Sequence, residues 1–142
     1  MLGTEPDIIR DYVETGQVKL VFWPVLNHGN PSVYSTVTAE CAGQQDPAMF
    51  WAVHETLFEN QSELWGAGRE YYVETAVAAG ADQATFETCY DSQTAMDQVL
   101  ELDNIRRQRG IFSQPQFDIN GTVFVGAQSY TAFAEAIEFN LE

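Results

Sequence analysis

The stretch SQPQFDINGTVFVGAQSY, residues 113–130, constrains the fold more than any other part of the sequence. Two short segments rich in β-branched and aromatic residues flank the pair Asn120 and Gly121, which readily adopts the positive φ angles of a tight hairpin turn. The sequence therefore predicts a β-hairpin with strands over 116–119 and 122–125, followed by a helix.

One more strand and several helices are predicted in the rest of the chain. VKLVFWPV, residues 18–25, is a continuous apolar run, which is typical of a strand covered on both faces. Thr4 as a cap, Pro6 in the first turn and Gly16 as a stop predict a helix from about 5 to 15. The other helical patterns predict a block of helices from 32 to about 90, broken near 43, 46–47, 66–68 and 80, then a helix over 94–109 and a last one over 130–141.

The length and charge of the chain limit its class. A chain of 142 residues with 45% hydrophobic content is long enough for one domain with a core, so we expect a single domain over 1–142. No apolar run approaches the roughly 20 residues that span a bilayer, and MLGTEPDIIR lacks the pattern of a secretion signal. The 21 acidic and 6 basic residues give a charge of -15, which would repel nucleic acid. We therefore expect no membrane span and no nucleic-acid partner.

Cysteine and histidine, which serve as nucleophiles, bases and metal ligands, are scarce in this sequence. Cys41 and Cys89 are the two cysteines, there is no C-x-x-C, and only His28 and His54 could join them as ligands. Because none of these residues shows metal-ligand spacing, we expect no metal and no cofactor. His54 shares a helix face with apolar residues, so we interpret it as packed beside the core rather than as a base. Trp51 and Trp65 are interpreted as packing residues as well.

The one basic cluster lies at the end of the long helix. Arg106, Arg107 and Arg109 precede Gly110, where the negative end of the helix dipole favours positive charge. The position at the helix end accounts for the cluster without a ligand.

A family resemblance is carried by five segments that extend from residue 12 almost to the C-terminus. They are YVETGQVKLVF, TAECAGQQ, MFWAVHETLFENQ, FETCYDS and GIFSQPQFDINGTVFVGAQSY. Together they resemble the DsbA-like branch of the thioredoxin superfamily. The resemblance implies an α/β, thioredoxin-like fold with an inserted helical block over about 32–109. It also implies a thiol-disulfide oxidoreductase of extracytoplasmic proteins, and hence a periplasmic or cell-surface location.

The resemblance implies a role for Gln114 and Pro115. In the family a cis-proline precedes the hairpin, and its loop pairs with an extended substrate peptide like one more strand. Gln114 and Pro115 are therefore the expected substrate-binding residues, with a peptide or protein substrate as partner. From the residues alone, a trans proline at the start of an edge strand is the ordinary alternative.

By the same resemblance, the chain lacks the redox C-x-x-C of the family and the strand before it. LGTEPDIIRDYVETG corresponds to the latter part of the first family helix, so we expect an N-terminally truncated fold with its central first strand absent. Two strand edges would then face a gap. Three explanations are open: a truncated or processed copy, a misplaced start at Met1, or a partner that supplies the strand, a swapped copy included. The chain would hold no catalytic residue and would be inactive alone.

The two cysteines do not resemble that redox pair. Relatives from oxidising compartments can carry a second, structural disulfide in the helical block, and Cys41 and Cys89 look suitable for it. The alternative is two buried free thiols that behave as small hydrophobic residues.

Two other functions stay open. The first is a redox-inert, thioredoxin-like module that binds a peptide or a partner chain through the cis-proline loop and the open sheet edge. The second is an unrelated enzyme working through Asp118 or His28, although Asp118 is expected to face solvent.

Overall fold

The computed structural model describes residues 3–142 and divides them into two compact units. We call residues up to Trp23 together with Arg109–Glu142 the terminal unit, and Pro24–Gln108 the helical unit. The terminal unit contains helix α1 (Glu5–Ile8), which continues as a π-helical turn (Ile9–Val13), strands β1 (Gln116–Ile119) and β2 (Thr122–Val125), and helix α7 (Tyr130–Leu141). The helical unit contains α2 (Asn30–Gly43), α3 (Pro47–Glu59), a short 3-10 turn (Gln61–Glu63), α4 (Arg69–Ala78), α5 (Gln83–Tyr90) and α6 (Gln93–Gln108).

The hairpin forms at the predicted residues. β1 and β2 pair antiparallel, with Phe117 opposite Phe124. Asn120 and Gly121 have φ angles of 46° and 96°, as the tight turn requires. The Asp118 carboxylate accepts a hydrogen bond of 2.6 Å from the Gly121 N–H, and its side chain is exposed. Asp118 therefore supports the turn and faces solvent, as expected.

Helix α7 covers one face of the hairpin. The Phe133 ring lies 4.7 Å from Phe117 and 5.7 Å from Phe124, centroid to centroid, with both pairs edge to face. Ile137 is buried beside Tyr12, which comes from the π-helical turn. Burying a side chain of this size stabilises the fold by about 1.5–3 kcal/mol. This packing gives the terminal unit a small core of its own.

In the helical unit, α2 packs against each of the other four helices. Asp46 caps α3 by accepting a 2.8 Å bond from Ala48 N, and Asp82 caps α5 by accepting a 2.9 Å bond from Thr85 N. The core is formed by small and aromatic side chains, among them Val37, Ala42, Val53, Tyr72, Ala76, Phe86 and Val99. The predicted helix breaks lie at the ends of these helices or between them, so the predicted succession of helices is confirmed with boundaries shifted by a few residues.

A disulfide joins Cys41 of α2 to Cys89 of α5, with 5.7 Å between their Cα atoms. Cys41 is buried and Cys89 is half-buried. The structure therefore contains the bridged form of this pair rather than two free thiols.

The predicted strand over 18–25 is wrong. The segment forms neither a helix nor a strand, and within residues 3–142 the sheet consists of β1 and β2 alone. An apolar run indicates burial, but a strand also requires a neighbour with which to form a hydrogen-bonded ladder. The composition of VKLVFWPV does not supply that neighbour.

Within residues 3–142, no helix has the length and apolar character needed to cross a membrane.

Candidate functional site

The loop before β1 continues the hairpin ladder by one pair. Gln114 and Pro115 are joined by a cis peptide bond. The Pro115 carbonyl accepts a hydrogen bond of 2.9 Å from the Gly126 N–H. Pro115 is half-buried, whereas Gln114 is exposed. The predicted substrate-binding pair thus lies at the open end of the hairpin, opposite the Asn120 turn.

The register identifies the backbone groups on the outer edge of β1. In an antiparallel pair, hydrogen-bonded and non-hydrogen-bonded positions alternate along the strand. Because Pro115 and Gly126 form a hydrogen-bonded position, the next such position is Phe117 opposite Phe124. The N–H and C=O groups of Gln116 and Asp118 therefore point away from β2. An extended chain lying along that edge could pair with them.

A path of hydrogen bonds connects this loop to the start of α1. The Gln128 side-chain amide donates to the carbonyls of Val125, at 3.2 Å, and Gly126, at 3.4 Å. The Thr4 hydroxyl in turn donates to the Gln128 carbonyl at 3.1 Å. The first helical turn and the two loops at the open end of the hairpin therefore form one continuous site.

Thr4 occupies the cap position of α1, yet its side chain makes no capping bond. A capping residue has extended backbone angles that aim its oxygen at the first N–H groups of the helix. Thr4 has φ -97° and ψ -26°, which are helical angles. The predicted capping role of Thr4 is therefore wrong, and its hydroxyl serves the site instead.

Two tyrosines form hydrogen bonds between the π-helical turn that follows α1 and helix α7. The Tyr130 hydroxyl donates to the Asp11 carboxylate at 2.7 Å, and the Tyr12 hydroxyl donates to Glu138 at 2.8 Å. Hydrogen bonds from Arg10 and Tyr130 lower the pKa of Asp11. The bond to Glu138 raises the pKa of Tyr12. Since the Asp11 carboxylate stays ionised and the tyrosines stay protonated at neutral pH, these contacts hold the site in place.

The site offers binding groups rather than reactive ones. Within residues 3–142 the site consists of Thr4, Gln114, Pro115, Gly126 and Gln128. None of these five carries a side chain that titrates near neutral pH. Their hydroxyl, amide and backbone groups can hold an extended chain. A nucleophile for thiol-disulfide exchange would have to be a thiolate, which none of these five residues provides.

The two histidines lie in the helical unit. His54 is buried, with ring centroids 5.4 Å from Trp51 and 4.5 Å from Phe58, and burial lowers its pKa to about 4. It is neutral at pH 7 and packed, as expected. His28 is exposed and contacts Trp65 edge to face at 6.1 Å. The packing interpretation of Trp65 is wrong, because 69% of its surface is exposed in the loop before α4.

The sequence interpretation missed a buried ionic cluster on α6. Asp103 and Arg106 are both 5% exposed, and their side chains form an ion pair of 2.7 Å. Asp103 also binds Arg107 at 2.5 Å and accepts the Leu26 N–H at 3.1 Å. Burial alone would raise the pKa of Asp103, but the Leu26 N–H and the two arginines together lower it. In the sequence, the arginines three and four residues after Asp103 could have indicated these ion pairs, because such residues lie side by side on a helix.

The third arginine of the basic cluster has a different partner. The Arg109 guanidinium lies 4.7 Å above the centroid of the Trp23 ring, a cation-π contact within the terminal unit. The cluster at the end of α6 is thus engaged by the chain itself.

Across residues 3–142, no set of three or more His, Cys, Asp or Glu side chains is arranged to hold a metal ion.

Comparisons with known proteins give one family and one named relative. The family model described as thioredoxin matches residues 2–139. Disulfide bond formation protein D of Bacillus subtilis (strain 168) is 27% identical over 144 residues, which cover 96% of this chain and 63% of that protein. The chain therefore spans less than two-thirds of the length of this relative. The comparison with solved structures found no match.

Proposed function

Since the chain belongs to the thioredoxin superfamily, in its DsbA-like branch, we propose that it acts in thiol-disulfide exchange on extracytoplasmic proteins, with the Gln114 and Pro115 loop as the peptide site. The relative from Bacillus subtilis is named for disulfide bond formation, which supports the reaction class. An oxidising, extracytoplasmic location also suits the disulfide between Cys41 and Cys89.

One observation carries the proposal: the path of hydrogen bonds from Pro115 through Gly126 and Gln128 to Thr4. It holds the proposed peptide site beside the first helical turn of the terminal unit. A peptide placed along the outer edge of β1 would pair with the backbone of Gln116 and Asp118, as in β-strand addition. Its own disulfide or thiols would then lie close to the start of α1.

The exchange step itself needs a reactive dithiol, and the 142 residues contain no C-x-x-C. The two cysteines present are bonded to each other in the helical unit, where we propose a structural role for them. We therefore propose that the 142-residue chain binds peptides but does not turn them over. The dithiol must be one that is not among these residues.

Two assays on the 142-residue chain test this division of roles. Insulin reduction with dithiothreitol should proceed at the background rate, and clear turnover would refute the assignment. Titration of a cysteine-free extended peptide, followed by NMR, should shift the amides of Gln116 and Gly126. Gln114→Ala should weaken peptide binding roughly fivefold, which is the loss of about one hydrogen bond. Gln98→Ala, which removes an exposed glutamine from the helical unit, is the matched control and should leave binding unchanged.

The outer edge of β1 also supports a second function, that of a redox-inert module that binds a partner strand. The N–H and C=O groups of Gln116 and Asp118 would pair equally well with a strand from another chain or from a second copy. Sedimentation of the chain across a range of concentrations tests for the second copy. The intact mass and the thiol count of the protein isolated from its native source distinguish the two functions. Additional alkylatable thiols after reduction favour the oxidoreductase. A mass that corresponds to the 142 residues, with Cys41 and Cys89 as the only cysteines, favours the binding module.

A further inference from the structure

A shallow cavity of about 270 Å³ lies where α2 ends and α3 begins. Its lining consists of Glu40, Gly43, Gln44, Pro47, Phe50 and Trp51. Gly43 and Gln44 lie three and four residues after Glu40, at the last residue of α2 and at the cap residue that follows it, and Phe50 and Trp51 have the same spacing from Pro47 along α3. Each helix therefore presents one face to the cavity, so its walls belong to regular structure rather than to a loop.

The aromatic wall of the cavity is held in place by a close helix contact. A Cβ atom on Gly43 would lie 2.9 Å from Cβ of Phe50, so any larger residue would push the two helices apart. The rings of Phe50 and Trp51 have centroids 5.1 Å apart and planes at 80°. Rings set at right angles in this way resemble the walls of aromatic cages that bind ammonium groups.

The acidic wall of the cavity is a carboxylate that lacks an ionic partner. Among the ion pairs found within residues 3–142, none involves Glu40. Burial raises the pKa of Glu40. The last turn of α2 carries no basic residue, and the negative end of the helix dipole adds to the negative potential around Glu40. A carboxylate in this position gains from a cation that is also excluded from water.

We propose that Glu40, Phe50 and Trp51 form a binding site for an alkylammonium group. The parts of the two rings that line the cavity attract the cation and contact its alkyl groups, while Glu40 supplies the counter-charge. A divalent metal fits this cavity poorly, because Ca²⁺ and Mg²⁺ need about six oxygen ligands and the lining offers one carboxylate and one side-chain amide. The net charge of -15 draws cations toward the surface in general.

An alkylammonium group can come from two sources, the lysine side chain of another protein or a small quaternary amine. Both present the same cationic head to the rings and to Glu40. The site lies in the helical unit and does not depend on the proposed peptide site in the terminal unit.

Titration of the 142-residue chain with choline, followed by NMR, tests the proposal. The Trp51 indole N–H and the Gln44 amide should shift, with a dissociation constant of the order of 1 mM. The neutral isostere 3,3-dimethyl-1-butanol should bind roughly tenfold more weakly, because it lacks the charge that the rings and Glu40 recognise. Nα-acetyl-lysine methylamide identifies the source. Binding as tight as that of choline assigns the site to a protein lysine, and weaker binding assigns it to a small quaternary amine.

Two variants form a matched pair for this experiment. Glu40→Gln should weaken choline binding about fivefold to tenfold. Glu101→Gln removes the same charge from a neighbouring cavity that Glu40 also borders but that no aromatic ring lines, and it should change binding less than about twofold. The amide spectrum confirms that each variant is folded. Equal binding of choline and its neutral isostere, or equal effects of the two variants, would overturn the proposal.

Discussion

Removing the disulfide between Cys41 and Cys89 should cost the protein a large part of its stability. The bridge joins residues separated by 48 positions. In the chain-entropy model, closing a loop of that length restricts the unfolded chain enough to add about 4 kcal/mol to the free energy of unfolding. Replacing both cysteines by alanine removes only two sulfur atoms from the packing, so loop closure should dominate the change.

Urea unfolding measures this cost on three samples: the oxidised chain, the same chain fully reduced, and Cys41→Ala/Cys89→Ala. The reduced chain and the double variant should both unfold with a free energy about 4 kcal/mol lower than that of the oxidised chain. Free energies rather than midpoints must be compared, because losing the cross-link exposes more surface on unfolding and raises the urea dependence. Alkylation followed by mass spectrometry counts the free thiols in each sample. Reductant should not change the free energy of unfolding of the double variant, because that variant has no disulfide.

The reasoning fails if the reduced chain, with both thiols alkylated after unfolding, is as stable as the oxidised chain. That result would mean that the ends of the loop are already close in the unfolded state, so the bridge removes little entropy. A double variant far less stable than the reduced chain would instead place the cost in packing around Cys41, which is 1% exposed.

Two further stability changes follow from buried charges. Asp103→Asn should lower the free energy of unfolding by about 3–5 kcal/mol, because it leaves the buried Arg106 without its counter-charge, whereas the exposed control Asp97→Asn on the same helix should cost less than about 1 kcal/mol. The pKa of His54 is lowered to about 4 in the folded state, so the unfolded state binds more protons between about pH 6.5 and 4. His54 should therefore cost up to about 3 kcal/mol of stability as the pH falls through that window. His54→Phe should lose this pH dependence, and unchanged dependence in urea unfolding at pH 7 and pH 4 would contradict the assignment.

The features that the sequence predicted well are those decided by neighbouring residues. Asn120 and Gly121 specify a tight turn by their own backbone preferences, and the hairpin formed at the predicted residues. Asp46 followed by Pro47 predicts a break in the helical pattern in the same local way, and α2 ends before this pair while α3 begins at Pro47. Such signals need no information about the rest of the fold.

Two of the contacts that were missed join residues far apart in the chain. The Thr4 hydroxyl binds the Gln128 carbonyl across 124 positions, and the Asp103 carboxylate binds the Leu26 N–H across 77. The run at 18–25 failed for the same reason, since a strand requires a partner that its own composition cannot reveal. Local patterns therefore predicted the helices and the hairpin, whereas the strand over 18–25 and the long-range contacts of the site could not be decided from them.

The backbone groups that form the proposed peptide site limit how strongly it can select one peptide sequence over another. The groups that the outer edge of β1 offers are the N–H and C=O groups of Gln116 and Asp118, and every peptide carries the complementary groups. Pairing with them fixes the direction and register of a bound chain but discriminates weakly between sequences. Preference for particular side chains must then come from the few side chains near Gln114 and Pro115. A site built in this way suits a protein that acts on many different substrates, which is what exchange of disulfides among extracytoplasmic proteins would require.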